Sequence, residues 1–273
     1  MALRIHHLNC GTMCPHGAPF INGHGGLLDP GHMVCHCLLI ESNDGLVLVD
    51  TGMGVEDVRR PAERLGRAFM GLVRPTADYR ETALVQVKQL GFKPEDVRHI
   101  VVTHLDLDHA GGIGDFPQAT VHLYEPEYQA AMHPTFREKQ RYKQHHWAHR
   151  PQWATYREEG ESWQGFECIR AIPGLEEEIL LVPLVGHTRG HSGVAVKSGD
   201  GWLLHCGDAY FHHNQMAHEP SCPPGLDLFQ RVMAVNNQDR LHNLHRLHEL
   251  AQRSVGEVQL FSAHDALELA RYQ

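Results

Sequence analysis

The stretch THLDLDHAGG, residues 103–112, concentrates side chains that can bind metal ions. His104, Asp106, Asp108 and His109 fall within six consecutive positions, and apolar residues separate the first three. Imidazole nitrogens and carboxylate oxygens are ligands that suit Zn(II), Fe(II), Mn(II) and Co(II). The preceding run RHIVV is typical of a buried strand. The sequence therefore predicts a strand whose end presents a cluster of metal ligands.

Three further segments repeat this design, each with an apolar strand that leads into histidine or aspartate. They are LVGHTRGH (184–191), LLHCGDAY (203–210) and LFSAHD (260–265). Taken singly, each segment has an ordinary structural explanation, such as a polar turn in solvent or a histidine that only makes hydrogen bonds. Their joint occurrence favours a metal site, because strand ends at one edge of a sandwich can converge in space.

The hydrophobic pattern predicts two batches of strands, each followed by helices. CLLIESNDGLVLVDTG predicts a hairpin with strands at 37–41 and 46–50. A helix is expected over 76–90, with Thr76 as its cap, and another over 239–253. Further strands are expected at 168–172, 179–185, 193–197, 202–206 and 258–262. This order fits the α/β class, as two sheets packed face to face with helices outside, a four-layer αββα sandwich.

A single domain is expected to span residues 1–273, with one segment of different character. Residues 130–165 are rich in histidine, arginine, glutamine and aromatic residues, and we interpret them as a helical insertion lying over the core. The aromatic side chains of this segment and of the loop at 10–33 would line an apolar pocket for an acyl chain, or pack onto the core or a second subunit. They are Phe20, Phe136, Tyr142, Trp147, Trp153 and Tyr156.

Composition narrows the choice of partners and compartment. The 273 residues are 42% hydrophobic and 21% charged, as in an ordinary globular protein, and the net charge of −9 disfavours binding to nucleic acid. No run approaches the ~18 apolar residues of a membrane span, and the N-terminus lacks the apolar region of a signal peptide. The seven cysteines do not resemble a small disulfide scaffold. We therefore expect a cytoplasmic protein with reduced thiols and no membrane partner.

Five ordered motifs resemble those of the metallo-β-lactamase-fold metallo-hydrolase superfamily, over about residues 35–267. They are DTG (50–52), THLDLDHAGG (103–112), GHTRGHSG (186–193), CGDAY (206–210) and SAHD (262–265). Within the superfamily, CLLIESNDGLVLVDTGMG, LGFKPEDVRHIVVTHLDLDHAGG and EPEYQAAMH are similar to the arrangement of the N-acyl homoserine lactonase-like group. The resemblance implies the metallo-β-lactamase fold, a hydrolytic activity and two divalent metal ions.

The resemblance also implies which residues bind the two ions. One ion would be held by His104, Asp106 and His187, and the other by Asp108, His109 and His264, with Asp208 bridging the two. Asp50 resembles the aspartate of the family that orients a ligand histidine through its second ring nitrogen. His191 would instead brace its turn by hydrogen bonds.

Two positions depart from the family pattern. Asp106 stands where the family usually has histidine, and the added negative charge favours harder ions such as Fe(II) or Mn(II) over Zn(II). The flavin-linked di-iron oxidoreductases of this fold carry glutamate there, which raises a redox alternative. The simpler interpretation is a tolerated change of ligand, with hydrolysis unchanged. Phe211 stands where lactonases carry a tyrosine that donates to the substrate carbonyl, so Tyr210, His212 or His213 would have to supply that donor.

The leading hypothesis is a dinuclear hydrolase that opens a lactone or cleaves a similar carboxylic ester. A hydroxide shared by the two ions would attack the carbonyl carbon, Asp108 would pass a proton to the leaving alkoxide, and Tyr210 or His212 would donate to the oxyanion. We expect a small-molecule substrate, and a homodimer is one option for the assembly. The alternatives are a phosphodiesterase, a thioesterase of the glyoxalase II type, a di-iron redox enzyme, and a ligand-binding relative without turnover.

Overall fold

The structure is a computed structural model that describes residues 3–157, 161–170, 172, 174, 175 and 178–273. Within these residues, the strands form two six-stranded sheets. The first sheet runs from edge to edge through β1 (Arg4–Met13), β2 (Met33–Ser42), β3 (Gly45–Val49), β4 (Val97–Val101), β5 (Thr120–Tyr124) and β6 (Gln152–Tyr156). The second has the spatial order β12-β11-β10-β9-β8-β7, and its strands are β7 (Glu161–Trp163), β8 (Phe166–Arg170), β9 (Ile179–Pro183), β10 (Ser192–Ser198), β11 (Gly201–His205) and β12 (Val258–Phe261).

Helices cover the outer faces of the two sheets and connect their strands. The α-helices are α1 (Ala18–Ile21), α2 (Val55–Arg59), α3 (Pro61–Arg64), α4 (Arg67–Leu72), α5 (Ala83–Gln89), α6 (Leu107–Ala110), α7 (Glu125–Met132), α8 (Pro224–Met233), α9 (Asn237–Arg253) and α10 (Ala266–Ala270). In the part of the chain that the structure describes, none of the helices is both long and apolar enough to cross a membrane.

Three hydrophobic clusters show how the layers pack. Leu38 of β2 packs between the sheets, in one cluster with Leu181 of β9. The next residue, Leu39, points to the opposite face, as successive strand residues do, and joins the cluster that contains Val87 of α5. On the far side of the second sheet, Leu247 of α9 is buried in the third cluster. The predicted four-layer αββα sandwich is confirmed.

The predicted ligands follow the carboxyl ends of strands, and the strand directions place these ends at one edge of each sheet. In the first sheet, β3, β4, β5 and β6 are parallel. In the second, β9, β11 and β12 share a direction, because β10 pairs antiparallel with β9 and β11, and β12 pairs parallel with β11. The carboxyl ends of strands that share a direction lie at the same edge, where loops from distant segments can meet.

Most of the elements expected from the sequence are present, with some shifted ends. The predicted hairpin is confirmed as β2 and β3. Strands β8 to β12 of the second sheet lie within two residues of their expected ends, although residue 171 lies outside the described residues, and β7 was not expected as a strand. The helix expected over 76–90 is shorter, because the Thr76 hydroxyl contacts the Thr12 carbonyl of β1 and Glu81 instead of capping a helix. A 3-10 helix then precedes α5, which begins only after Thr82.

The expectation of a helical insertion at 130–165 is wrong. After α7 ends at Met132, the chain forms two 3-10 helices, Glu138–Gln140 and Gln144–Trp147, and then strands β6 and β7. β6 pairs in parallel with β5, with Gln152 opposite Thr120. Pairing to a distant strand depends on tertiary context, which a local composition cannot report. The segment therefore adds an edge strand to each sheet, and its residues 158–160 lie outside the described part of the chain.

Candidate metal centre

Four loops that follow strand ends bring the predicted ligands together at one edge of the sandwich. The loop after β4 leads directly into α6, a single helical turn that carries Asp108 and His109. The other loops follow β9, β11 and β12. The predicted ligands are His104, Asp106, Asp108 and His109 after β4, His187 after β9, Asp208 after β11 and His264 after β12.

The first group of ligand atoms surrounds one point. His187 Nε2 lies 3.1 Å from Asp106 Oδ2 and 3.3 Å from Asp208 Oδ2. His104 Nε2 lies 3.4 Å from Asp106 Oδ2 and 3.8 Å from Asp208 Oδ2. All four side chains are buried. Two imidazole nitrogens and two carboxylate oxygens at these separations form a donor set suited to a divalent transition metal.

A second group lies beside the first. His109 Nε2 and His264 Nε2 are 3.4 Å apart, and they lie 3.1 and 3.0 Å from Asp208 Oδ1. Asp108 Oδ2 is 3.7 Å from His264 Nε2, and the Asp108 side chain is 14% exposed. Asp208 therefore turns one carboxylate oxygen to each group, and Asp108 is the most exposed of the clustered side chains.

Three of the histidines donate a hydrogen bond through Nδ1, which leaves their Nε2 atoms as possible metal ligands. His109 Nδ1 donates to Asp50 Oδ2 at 2.8 Å, which is the role predicted for Asp50. His264 Nδ1 donates to a backbone carbonyl of β2 at 2.8 Å. His104 Nδ1 lies 2.9 Å from the Thr103 hydroxyl, which itself donates to Asp50. Such contacts fix the tautomer in which the Nε2 lone pair faces the cluster.

His191 supports the cluster from behind, as predicted. Its Nδ1 donates to the Leu184 carbonyl at 3.0 Å, and its Nε2 accepts from the Asp208 amide at 2.9 Å. The neighbouring Gly207 has a φ of +53°, and a Cβ atom there would lie 2.6 Å from His191 Nε2. Glycine at this position therefore allows the tight turn that presents Asp208 to the two groups.

Charges within the cluster shift the pKa values of its members in opposite directions. Burial alone would raise the pKa of Asp208, but His264 and His109 hold it well below its usual value. Burial alone would lower the pKa of His109, but Asp208 and Asp50 raise it well above its usual value. A field that keeps carboxylates ionised and attracts positive charge to the imidazoles also favours a cation between them.

Unpartnered buried atoms support the same interpretation. Within the described residues, His104 Nε2 and Asp208 Oδ1 have no hydrogen-bond partner. A buried polar atom without a partner costs about 1–3 kcal/mol. A divalent cation in each group would satisfy these two atoms, so the residues at this edge fit a metal centre in chemistry and in geometry.

Three buried residues at the cluster were not assigned a role in it from the sequence. Arg141 Nε lies 3.3 Å from Asp106 Oδ1. Glu127, at the start of α7, accepts hydrogen bonds from the loops after β4 and β9 and ties them together. Cys35 of β2 offers its thiol within 4.8 Å of ligand atoms of the second group. Each of these residues comes from a strand or helix distant in sequence, so no local motif identifies it.

The structure separates Tyr210 from the other two candidate oxyanion donors, His212 and His213. The Tyr210 hydroxyl lies 3.0 Å from both carboxylate oxygens of Glu268, within the hydrophobic cluster behind the second sheet. The expectation that Tyr210 donates to a substrate is therefore wrong. The next residue, Phe211, points the other way, with its ring centroid 4.9 Å from that of His264. Because Tyr210 and Phe211 are both close to Asp208 in the sequence, their positions in the chain do not reveal which of the two side chains faces the site.

His212, in contrast, lines a cavity of about 150 Å³ that reaches the ligand His264. His212 Nδ1 accepts from the Asn214 amide, so Nε2 carries the proton and points toward the Asn22 carbonyl at 3.4 Å. His213 also lines this cavity, but its Nδ1 is engaged with Asp265 at 2.8 Å. His212 is thus the candidate donor whose N–H is held only by a long contact.

The aromatic residues considered for an acyl-chain pocket mostly serve packing. Tyr142 and Trp147 are buried in the cluster on the outer face of the first sheet, and Trp153 packs against Trp147 with ring centroids 6.1 Å apart. Phe136 is 90% exposed and Phe20 is 47% exposed. Tyr142, Trp147 and Trp153 therefore pack onto the core, which is one of the two alternatives considered for these aromatic residues.

An αββα sandwich with histidine and aspartate side chains grouped at its strand ends is typical of metallo-hydrolases. The chain belongs to the metallo-β-lactamase superfamily, whose family profile matches residues 30–245. Members of this superfamily bind divalent metal ions.

The relatives are consistent with this assignment. A protein of Mycobacterium tuberculosis named "Probable metallo-hydrolase" is 40% identical over 264 residues, which cover 96% of this chain and 80% of the relative. An N-acyl homoserine lactonase of Bacillus cereus is 34% identical over 109 residues, which cover 39% of this chain and 44% of the relative.

Solved structures with the same fold include lactonases. An N-acyl homoserine lactone hydrolase with the product N-hexanoyl-L-homoserine bound at its catalytic metal center matches with a TM-score of 0.74, at 20% identity, over 100% of this chain and 98% of that chain. A dizinc quorum-quenching lactonase matches with a TM-score of 0.64, at 16% identity, over 97% of this chain and 88% of that chain. At these identities the likeness shows a shared fold.

Proposed function

We propose that the protein is a dinuclear metal-dependent hydrolase that opens a lactone or cleaves a similar carboxylic ester. The observation that carries the proposal is the position of Asp208 between two pairs of histidines. Asp208 Oδ2 is 3.3 Å from His187 Nε2, and Asp208 Oδ1 is 3.0 Å from His264 Nε2. A carboxylate with one oxygen on each side can bridge two cations, which favours two ions over one.

Seven side chains of the cluster would hold the two ions. The first ion would be bound by His104, Asp106 and His187, and the second by Asp108, His109 and His264, with Asp208 shared. Divalent ions in such sites polarise a carbonyl group and lower the pKa of water from about 15.7 toward about 7. Zn(II) suits this nitrogen and oxygen donor set, and the carboxylate of Asp106 also suits Fe(II) or Mn(II).

Asp108 is the residue that we assign to proton transfer. Its side chain is 14% exposed, so a substrate that approaches this edge can reach it, whereas His264 beside it is 2% exposed. Asp108 Oδ2 faces the second group, which leaves Oδ1 to accept a proton from the attacking water and return it to the leaving alkoxide. Asp50 keeps His109 in the tautomer that presents Nε2, and so acts as a positioning residue.

His212 is the proposed donor to the oxygen that becomes negative during the reaction. Its protonated Nε2 lies at the cavity that extends from His264, and the contact with the Asn22 carbonyl is long at 3.4 Å. That N–H can therefore exchange the carbonyl for a substrate oxygen at little cost. Because Phe211 occupies the position of the lactonase tyrosine, this role falls to a neighbouring side chain.

Three observations support a carboxylic ester or lactone over a phosphodiester substrate. Several relatives and fold neighbours are named as N-acyl homoserine lactonases. The net charge of −9 does not favour recognition of a polyanion. The cavity beside His264 also has apolar walls from Ile21, Met33 and Leu226, which suit a small acyl group.

The proposal is tested by activity against a panel of lactones, carboxylic esters, thioesters and phosphodiesters, with metal-loaded and metal-stripped protein. We expect metal-dependent hydrolysis of at least one lactone or ester, and its loss in Asp108→Asn. Asp200→Asn, on an exposed turn between β10 and β11, is the matched control and should retain full activity. Hydrolysis confined to phosphodiesters or thioesters, or full activity after metal removal, would contradict the proposal.

The expected cytoplasmic location and the homodimer stay predictions. Light scattering on the purified, metal-loaded protein measures the mass of the assembly directly. A mass of twice the 30.8 kDa chain would support the dimer.

A further inference from the structure

A buried arginine lies against the one ligand that departs from the family pattern. Asp106 is 7% exposed and Arg141 is 8% exposed. Arg141 Nε is 3.3 Å from Asp106 Oδ1. A buried charge of either sign is costly unless it is paired, so these two side chains depend on each other.

The carboxylate of Asp106 divides its two oxygens between Arg141 and the first ligand group. Oδ2 faces the imidazoles, 3.1 Å from His187 Nε2 and 3.4 Å from His104 Nε2. Oδ1 faces the guanidinium group. A metal ion bound at the first position would thus contact a single oxygen of Asp106. The other oxygen, Oδ1, lies at ion-pair distance from Arg141 and makes no hydrogen bond within the described residues.

Backbone acceptors hold Arg141 in this position independently of Asp106. One terminal guanidinium nitrogen donates to the His187 carbonyl at 3.0 Å, and the other donates to the Met233 carbonyl at 2.7 Å. The side chain therefore links the loop that carries His187 to the end of α8. Its charge is delivered to a fixed point beside the first ligand group, and it cannot swing away without losing these bonds.

The charge count at the first position follows directly. A histidine at position 106 would contribute a neutral ligand. The Asp106 carboxylate contributes one negative charge, and the adjacent Arg141 contributes one positive charge. The pair therefore sums to zero, as the histidine would. The excess negative charge that would favour Fe(II) or Mn(II) is largely offset before a metal ion binds.

We propose that Arg141 is a positioning residue of the first metal position, and that Asp106 and Arg141 together take the place of one neutral histidine. The proposal rests on metal binding by this cluster, which is part of the proposed function. It implies that the residues at positions 106 and 141 are coupled. Histidine at 106 is tolerated only when the positive charge at 141 is removed.

The test is a double-mutant cycle on metal affinity. Zn(II) dissociation constants are measured for metal-free wild type, Asp106→His, Arg141→Met and the double variant, by competition with a chromophoric chelator. Asp106→His leaves an uncompensated guanidinium group beside the ion, so we expect the first Zn(II) to bind at least about tenfold more weakly. Arg141→Met added to Asp106→His removes that positive charge, so the double variant should bind the first Zn(II) within about threefold of wild type.

Two further variants separate charge from shape and from folding. Arg141→Lys keeps the positive charge, so Asp106→His combined with it should bind as weakly as Asp106→His alone. Arg137→Met removes a neighbouring exposed arginine that donates to the Val232 carbonyl. Combined with Asp106→His, it should leave Zn(II) binding as weak as in Asp106→His alone. Melting temperatures of all metal-free variants identify any loss of affinity that comes from unfolding.

The outcomes distinguish this inference from the proposed function. If wild type binds Zn(II) but the double variant binds it as weakly as Asp106→His alone, then Arg141 serves only as a structural link and the inference is overturned. If the folded wild type binds no Zn(II) at all, the proposed function fails first. Tight binding by the double variant and weak binding by Asp106→His alone would support the coupling.

Discussion

The hydrogen bond from His109 to Asp50 gives the clearest quantitative prediction for the second metal position. Asp50 directly follows β3 and has a φ of 55°, a left-handed conformation that asparagine tolerates well, so Asp50→Asn should preserve the backbone. Asp50 Oδ1 accepts the Thr103 amide at 2.7 Å, and Oδ2 accepts His109 Nδ1 at 2.8 Å. An amide group can satisfy only one of these two donors with its single oxygen.

The size of the effect follows from the lost bond. A hydrogen bond to a charged group contributes about 1.5–3 kcal/mol. If the amide NH2 faces His109, the imidazole must move its proton to Nε2, the atom that is assigned to the metal. Changes of this kind behind a metal ligand cost about 10–100-fold in metal affinity. That range equals about 1.4–2.8 kcal/mol, in agreement with the value for one charge-assisted bond.

The assay is a competition titration of metal-free Asp50→Asn with Zn(II) and a chromophoric chelator, which resolves two dissociation constants. We expect the constant of the second ion to rise about 10–100-fold, and that of the first ion to change less. The control is Asp44→Asn, whose carboxylate is 62% exposed in a surface ion pair with Arg98. Unchanged dissociation constants in a well-folded Asp50→Asn protein would refute the reasoning.

Three other expectations follow from the structure. Asp108→Ala should abolish hydrolysis while circular dichroism and the melting temperature stay close to wild type, and near-normal turnover would refute its assignment. Burial and Asp265 raise the pKa of Glu268 to about 8 from 4.5, so the folded protein retains a proton that the unfolded chain releases. The free energy of unfolding of the protein should therefore decrease as the pH rises from about 4.5 to about 8, by up to about 1.4 kcal/mol per pH unit. Glu268→Gln should gain stability relative to wild type across that range in chemical denaturation. Trp147→Ala should lower the free energy of unfolding by about 3–5 kcal/mol, because this side chain is 7% exposed, whereas Phe136→Ala at 90% exposure should change it by less than about 0.5 kcal/mol in the same denaturation assay.

The sequence predicts which histidine and aspartate side chains cluster, because each of them follows a strand end by only a few residues. Periodicity identifies the strands, and the directions of neighbouring strands then determine that their ends share an edge. His187 and His264 are 77 positions apart in the chain, but both follow strands that run in the same direction in one sheet. Residues such as Asp50 and His191 are predictable for the same reason.

Other features depend on contacts that no local pattern encodes. The pairing of Arg141 with Asp106 joins residues 35 positions apart through a polar segment that was expected to be helical. β6 forms because β5 offers a free edge in parallel register, which the composition of 130–165 does not reveal. The motif around Tyr210 correctly places this residue near the cluster in the chain, but it does not indicate to which side of the turn the side chain points. The Tyr210 hydroxyl bonds to Glu268 in the core.

The number of metal ions bound per chain tests the central claim most directly. Wild-type protein is stripped, reloaded with Zn(II) or Mn(II), freed of loose metal and analysed by mass spectrometry of the elements, next to Asp208→Ala treated in the same way. We expect two ions per folded wild-type chain and a clear loss in the variant that lacks the shared carboxylate. A folded, reloaded wild-type protein that holds no metal, or one that holds two ions irrespective of Asp208, would contradict a paired metal centre bridged by this residue.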